Sequence, residues 1–237
     1  MPDKFYTALL LRHFPTKKNE GGKTRERLRG WLNEPIDPEI AAELAPKVAR
    51  ILDKQGIDCL YASPLTRGRQ TAEAVAAAMG ASRTGAGKRP EIEIRAGFKS
   101  WDTGKYTGEL RDKVWPTIER YIRNPEEKIP GDERFDGEKF GEIDGERGGF
   151  IPRWRDEVKY QLKDAKKNDG KNAWILHGNM LWTLDPLLEG RQPTIDDWKE
   201  QYDAASPGSI LKLEFNDDDF RITPIFDSGK DGAGHLS

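Results

Sequence analysis

The sequence predicts an α/β protein: a three-layer α/β/α sandwich around a mostly parallel central sheet, with an antiparallel edge strand near the C-terminus. Three observations lead there. Short apolar runs without polar alternation, within residues 8–11, 57–63 and 172–177, read as strands buried on both faces. Segments of helical periodicity separate them, the pattern of βαβ units. The last two apolar segments, GSILKLEF and FRITPIF, are joined only by NDDD, as a closing hairpin would be.

Each element follows from its own pattern. The run Ala8, Leu9, Leu10, Leu11 is the first strand, and the glycine-rich basic stretch KKNEGGKTRERLRG after it is a loop. PEIAAELAPKVARILDKQ carries Ile40, Leu44, Val48 and Ile51 on one helical face; Pro38 opens the helix and Pro46 predicts a kink. IDCLYAS is a second strand, and PLTRGRQTAEAVAAAMG a helix that turns Ala72, Val75, Ala76 and Met79 inward. EIEIRAGF alternates charged and apolar residues, as a strand with one wet face does. Residues 110–123 read as helix and 124–149 as irregular. PRWRDEVKYQLKDAKK is helical again, NAWILHG is a buried strand, and NMLWTLDPLLEG is a short apolar helix.

Bulk composition narrows the function. At 237 residues the chain can bury one full core, and no linker divides it, so residues 1–228 are expected to form a single domain and 229–237 a disordered tail. The formal net charge of -2 provides no global field for a polyanion, so no nucleic-acid partner is expected. Cys59 is the only cysteine, which excludes an internal disulfide and a cysteine-rich metal site. The charged start MPDKFYTALLLRHFPTKK has too short an apolar run for a signal peptide or a membrane span, and a cytoplasmic location is expected.

The chemistry concentrates at strand ends. His13 and His177 each close an apolar strand, and parallel strands of one sheet end on one side, where ligands of open α/β sheets sit. Arg12 precedes His13, and Arg67 with Thr71 opens the helix after the second strand. Arginines, neutral imidazoles and a helix amino terminus around one crevice make a phosphate cage, in which either histidine is a candidate nucleophile.

With those residues in place, the sequence resembles the histidine phosphatase superfamily, in its phosphoglycerate mutase-like branch. LLLRHFPT resembles that family's R-H-G-x-T signature, with Asn19 at the asparagine of its longer form. GWLNEPIDPEIAAELAPKVARIL is similar to the stretch leading into the family's first helix. SPLTRGRQTAEAVA is similar to its S-x-L-x-R-A-x-x-T-A block and ILHGNML to its second-histidine segment. The four matches run in family order from residue 8 to about residue 215.

The resemblance implies that Arg12, Arg67 and His177 clamp a phosphoryl group, that Thr16, Asn19 and Gly178 contact substrate, and that His13 becomes phosphohistidine. It implies no metal and no cofactor, a small phosphorylated substrate, and a cap insertion at about 105–150 that selects the substrate. Two departures stand out. Phe14 occupies the usual glycine, so the turn there must avoid a glycine-only conformation. Ser100 occupies the position expected of the glutamate general acid, and a hydroxyl cannot protonate a leaving alkoxide as a carboxylic acid does. Asp102 is the expected replacement, with Glu109 second.

Plainer roles stand beside these. Thr16, Asn19 and Asp102 are ordinary turn residues. The arginines of 111–155 are interleaved with acids and are expected mostly to solvate helix faces, and the tryptophans to pack the core, with Trp101 the exception beside the site. The function expected is a phosphomonoesterase; the alternatives are a phosphoglycerate-mutase-type phosphoryl transferase and a phospholigand-binding protein that lacks the acid.

Overall fold

The computed structural model describes residues 4–17, 27–82, 89–124, 136–141, 149–197 and 205–231. Six strands form one sheet: β1 (Tyr6–Arg12), β2 (Cys59–Ala62), β3 (Glu91–Ile94), β4 (Asn172–Leu176), β5 (Ile210–Phe215) and β6 (Phe220–Phe226), in the order β3-β2-β4-β1-β5-β6. β3, β2, β4 and β1 are mutually parallel, and the antiparallel edge is the β5–β6 hairpin, with β5 against β1.

The run Ala8–Leu11 is fully buried because it lies between two cores. Alternating side chains of a strand point to opposite faces. Leu9 and Leu11 join a cluster with helices α1 (Pro38–Lys54) and α2 (Thr66–Ser82), while Ala8 and Leu10 join one with α3 (Arg111–Arg123) and α4 (Phe150–Lys167). The result is the α/β/α sandwich.

α1 is capped by Asp37, whose Oδ1 accepts from the amides of Glu39 and Ile40, and it runs unbroken through Pro46. Its buried face is Ala41, Leu44, Ala45, Val48, Ala49 and Leu52, so Ile40 and Ile51 flank the stripe instead of belonging to it. In α2 the expected Ala72, Val75, Ala76 and Met79 are buried. The third strand is shorter than its alternation suggests. It stops at Ile94, 44% exposed on the sheet edge, because a tight turn at Ala96–Phe98 drives Phe98 under α4. Gly97 permits that approach: a Cβ there would lie 2.3 Å from the Glu157 carboxylate.

The apolar segment after β4 is two short helices, α5 (Gly178–Trp182) and α6 (Leu184–Leu188), with Thr183 between them. Among the described residues no helix is long and apolar enough to cross a membrane. Parallel registry aligns Arg12 with Leu176 and Ala62 with Ile175, so three strands end together and present His13, Ser63 and His177 at one rim.

Candidate active site

His13 and His177 meet with ring centroids 5.1 Å apart, both buried. The His13 amide bonds to the Leu176 carbonyl across the β1–β4 junction, which ties the two strand ends together. Arg67 and Thr71 are both buried at the start of α2.

Hydrogen-bond partners fix the imidazole tautomers. His13 Nδ1 lies 2.7 Å from the Phe14 carbonyl oxygen, which only accepts, so Nδ1 carries the proton and Nε2 the lone pair. His177 Nδ1 accepts from Arg67 Nε at 3.2 Å, so in the neutral ring Nε2 carries the proton. Among the described residues that Nε2 is buried without a hydrogen-bond partner. A buried donor left unpaired costs about 1–3 kcal/mol, a cost that an acceptor bound there would offset.

Burial, with the charges of Arg67, Arg29 and Arg12 beside it, lowers the His13 pKa well below the usual imidazole value; the Phe14 carbonyl opposes this weakly. His177 is lowered in the same sense, by burial first and then by Arg67, His13, Arg12 and Arg29. Both rings are therefore neutral at pH 7. Burial and the nearby Arg29 lower Arg67 to about 9, which leaves it cationic.

Arg67 is itself tightly held. Besides His177, it donates to the carbonyls of Leu32 (2.8 Å) and Gly30 (3.0 Å), three of its five N–H groups, so two remain for an anion. Gly30 has φ +41°, and a Cβ there would lie 2.6 Å from Thr107 Oγ1. Arg12 donates to the Ala205 carbonyl at 2.7 Å, and its guanidinium packs on Gly178, where a Cβ would stand 3.2 Å from Cζ. Gly178 thus makes room for Arg12.

These groups open into a pocket with about 860 Å³ of empty space, open mouth included. Arg12, His13, Arg67, His177 and Gly178 line it as expected from the sequence, and Trp101 and Ser100 do too. Ser100 Oγ donates to Asn179 Oδ1 at 3.2 Å. The lining also holds Arg27, Arg29 and Arg111, with Trp115 and Trp182 on the apolar wall. Arg27 and Arg29, from the basic stretch after β1, both line the pocket, Arg27 while exposed to solvent and Arg29 half-buried, and the sequence offers no periodic signal for that. Arg111, one of the arginines of 111–155 expected mostly to solvate helix faces, lines the pocket.

Three expected site residues are placed differently. Asp102 is not among the lining residues: its Oδ1 accepts the Gly104 amide at 3.0 Å, and its backbone pairs with Glu138, so its carboxylate serves a turn. Glu109, the second expectation, lies outside the lining on a half-buried turn, 3.7 Å from Lys113. Thr16 is buried, but its hydroxyl donates to Glu34 Oε2 at 3.3 Å and it too lies outside the lining. Asn19 lies outside the described residues. Among the described lining residues there is no Asp or Glu. Thr71, grouped with Arg67 as an anion contact, is instead a strut: Oγ1 donates to the Arg67 carbonyl (2.7 Å) and accepts from the Phe14 amide (2.9 Å).

Comparison with known proteins gives the same frame. The family model for the histidine phosphatase superfamily (branch 1) matches residues 8–228. Comparison by sequence with curated proteins finds no match. Among solved structures, the chain is similar to mycobacterial glucosyl-3-phosphoglycerate phosphatase, with TM-score 0.61, 16% identity, and coverage of 94% of this chain and 99% of that one. It is also similar to phosphoserine phosphatase from Entamoeba histolytica in complex with 3-phosphoglyceric acid, with TM-score 0.62, 22% identity, and coverage of 95% and 98%. At these identities the structural likeness establishes the fold.

Proposed function

This chain belongs to the histidine phosphatase superfamily, branch 1, and on that premise we propose that it hydrolyses small phosphorylated molecules through a phosphohistidine on His13. The observation that carries the reading is the complementary pair of tautomers: a lone pair on His13 Nε2 beside an unpaired N–H on His177 Nε2. One can attack phosphorus, and the other can bind a phosphoryl oxygen.

In the first step His13 Nε2 forms the N–P bond while the P–O bond to the leaving group breaks, its electron pair departing on oxygen. Arg12, the two remaining Arg67 donors and His177 Nε2–H hold the phosphoryl oxygens, and their positions are set before reaction by the carbonyls of Ala205, Leu32 and Gly30. In the second step water attacks phosphorus, the N–P bond breaks, its electron pair returns to Nε2, and phosphate leaves with one of the water's protons while the other, through solvent, balances the charge on the departed oxygen. The segment that contributes Arg111 and Trp115 acts as the substrate-selecting cap.

The test is release of phosphate from phenyl phosphate, with trapping of an acid-labile phosphoenzyme. His13→Ala is expected to abolish the trapped species and lower kcat by about 10³-fold or more. A variant that retains kcat within tenfold would overturn the assignment. Stoichiometric retention of phosphate with no turnover by the wild-type protein would favour the ligand-binding reading that Ser100 keeps open.

A further inference from the structure

We propose that the group this site releases is itself a phosphate: the substrate is a terminal diphosphate or triphosphate, and the bond broken is a phosphoanhydride. The inference rests on the phosphatase reading above and names its substrate class.

Two features of the pocket lead to it. The first is charge. Five arginines line one pocket, and no described lining residue is acidic. Glu34, outside the lining, supports the Arg67 charge. A phosphomonoester dianion needs the inner donors, Arg12, Arg67 and His177. Arg29 acts on both histidines and so borders that cage. Arg27 and Arg111 are left further out, and both are held in place: Arg27 donates to the Gly108 carbonyl at 2.7 Å, and the Arg111 guanidinium lies over the Trp115 ring, 5.0 Å from its centroid. Guanidinium groups arrayed beyond a phosphoryl cage match the oxygens of a second phosphate.

The second feature is Ser100, which lines the pocket with its hydroxyl engaged by Asn179. An alkoxide leaving group has a conjugate acid as weak as water, with a pKa of about 16, so it must be protonated as it leaves. A leaving phosphate has a second pKa of about 6 and departs as a stable anion at neutral pH. A substrate whose leaving group is a phosphate therefore needs no carboxylic acid in the place where Ser100 stands, and it makes use of the outer arginines.

The step balances with water as the only co-reactant. His13 Nε2 attacks the terminal phosphorus, and the bond from that phosphorus to the bridging oxygen breaks. The electron pair stays on the oxygen, now part of a phosphate anion held by Arg27, Arg29 and Arg111. Water then hydrolyses the phosphohistidine, giving orthophosphate and one proton to solvent.

The experiment measures phosphate release by the full chain from tripolyphosphate, phenyl phosphate and glycerol 2-phosphate at pH 7. The expected order of kcat/KM places tripolyphosphate at least tenfold above phenyl phosphate and at least 100-fold above glycerol 2-phosphate. Arg27→Gln and Arg111→Gln, made separately, are each expected to lower the tripolyphosphate-to-phenyl phosphate ratio fivefold or more, with Arg111→Lys recovering part of it. If phenyl phosphate turns over but tripolyphosphate is no better than glycerol 2-phosphate, or if the ratio ignores both arginine variants, the anhydride assignment is overturned and the phosphatase reading stands. Turnover of none of the three removes the phosphatase reading and this inference with it.

Discussion

Thr71 offers a direct probe of how His13, the proposed nucleophile, is held. Its hydroxyl bridges the Arg67 carbonyl and the Phe14 amide, and Phe14 in turn supplies the carbonyl that anchors His13 Nδ1–H. Thr71→Val keeps the side-chain shape and removes only the bridge. Both Thr71 and Phe14 are fully buried, so no water reaches the orphaned Phe14 amide. An unsatisfied buried donor costs about 1–3 kcal/mol. For a domain of this size each kcal/mol lowers Tm by about 2–4 °C, so the variant is expected to melt roughly 2–12 °C below wild type. Phe14 is then free to shift, and a misplacement on the order of 1 Å at a nucleophile costs up to about 10²-fold in rate. Thermal unfolding and phenyl phosphate kinetics read the two effects, and Thr71→Ser, which keeps the hydroxyl, is expected to restore both. A Thr71→Val protein within about 0.5 kcal/mol of wild type, with kcat within twofold, would refute the reasoning.

Four further expectations follow from the same geometry. His13 and His177 have folded-state pKa values below their unfolded value, so below about pH 6.5 the unfolded chain binds more protons and stability falls with pH, by up to about 1.4 kcal/mol per pH unit for each histidine; urea titrations at stepped pH read this, and the slope is expected to shrink in His177→Gln. In kinetics the same shift keeps kcat/KM free of any enzyme ionisation near pH 6.5, and a bell shape with an acid limb at that value would contradict it. Gly178→Ala places a methyl 3.2 Å from Arg12 Cζ, so kcat/KM is expected to drop about tenfold or more while stability changes by less than about 1 kcal/mol, alanine being the better helix former. Phe14→Gly, which restores the residue usual in the family, is expected to destabilise by about 3–5 kcal/mol, because the ring fills the core between β1 and α1; an unchanged denaturation midpoint would show that the ring is dispensable.

What the sequence revealed tracks how local each cause is. The buried runs of β1 and β4 and the stripes of α1 and α2 were readable because burial leaves periodicity in the chain, and His13 and His177 were readable because strand ends of a parallel sheet converge. Arg27, Arg29 and Arg111 were not, since an arginine in a loop or at a helix start has the same local pattern whether it meets solvent or a pocket. Asp102 misled for a related reason. Its two-residue offset from Ser100 puts it on the same side of an extended strand, but the chain turns at Gly104 and the carboxylate caps that turn.

The position of Ser100 also explains why the missing acid does not leave a collapsed site. Arg153 reaches into this loop, donating to the carbonyls of Gly97, Lys99 and Ser100 while its guanidinium pairs with both oxygens of Glu138. Glu138 in turn accepts from the Asp102 amide, and its carbonyl receives Trp101 Nε1. The loop that would position an acid is thus built from backbone carbonyls, an arginine and a glutamate, none of which depends on the side chain at position 100. Its shape is retained independently of a proton donor. That rim lines the pocket with Trp101 and Ser100, beside an array of arginines. Under the proposed anhydride reading, such a rim would select leaving groups by charge and by the stability of their anions, since none of its described lining residues has a carboxyl proton to give.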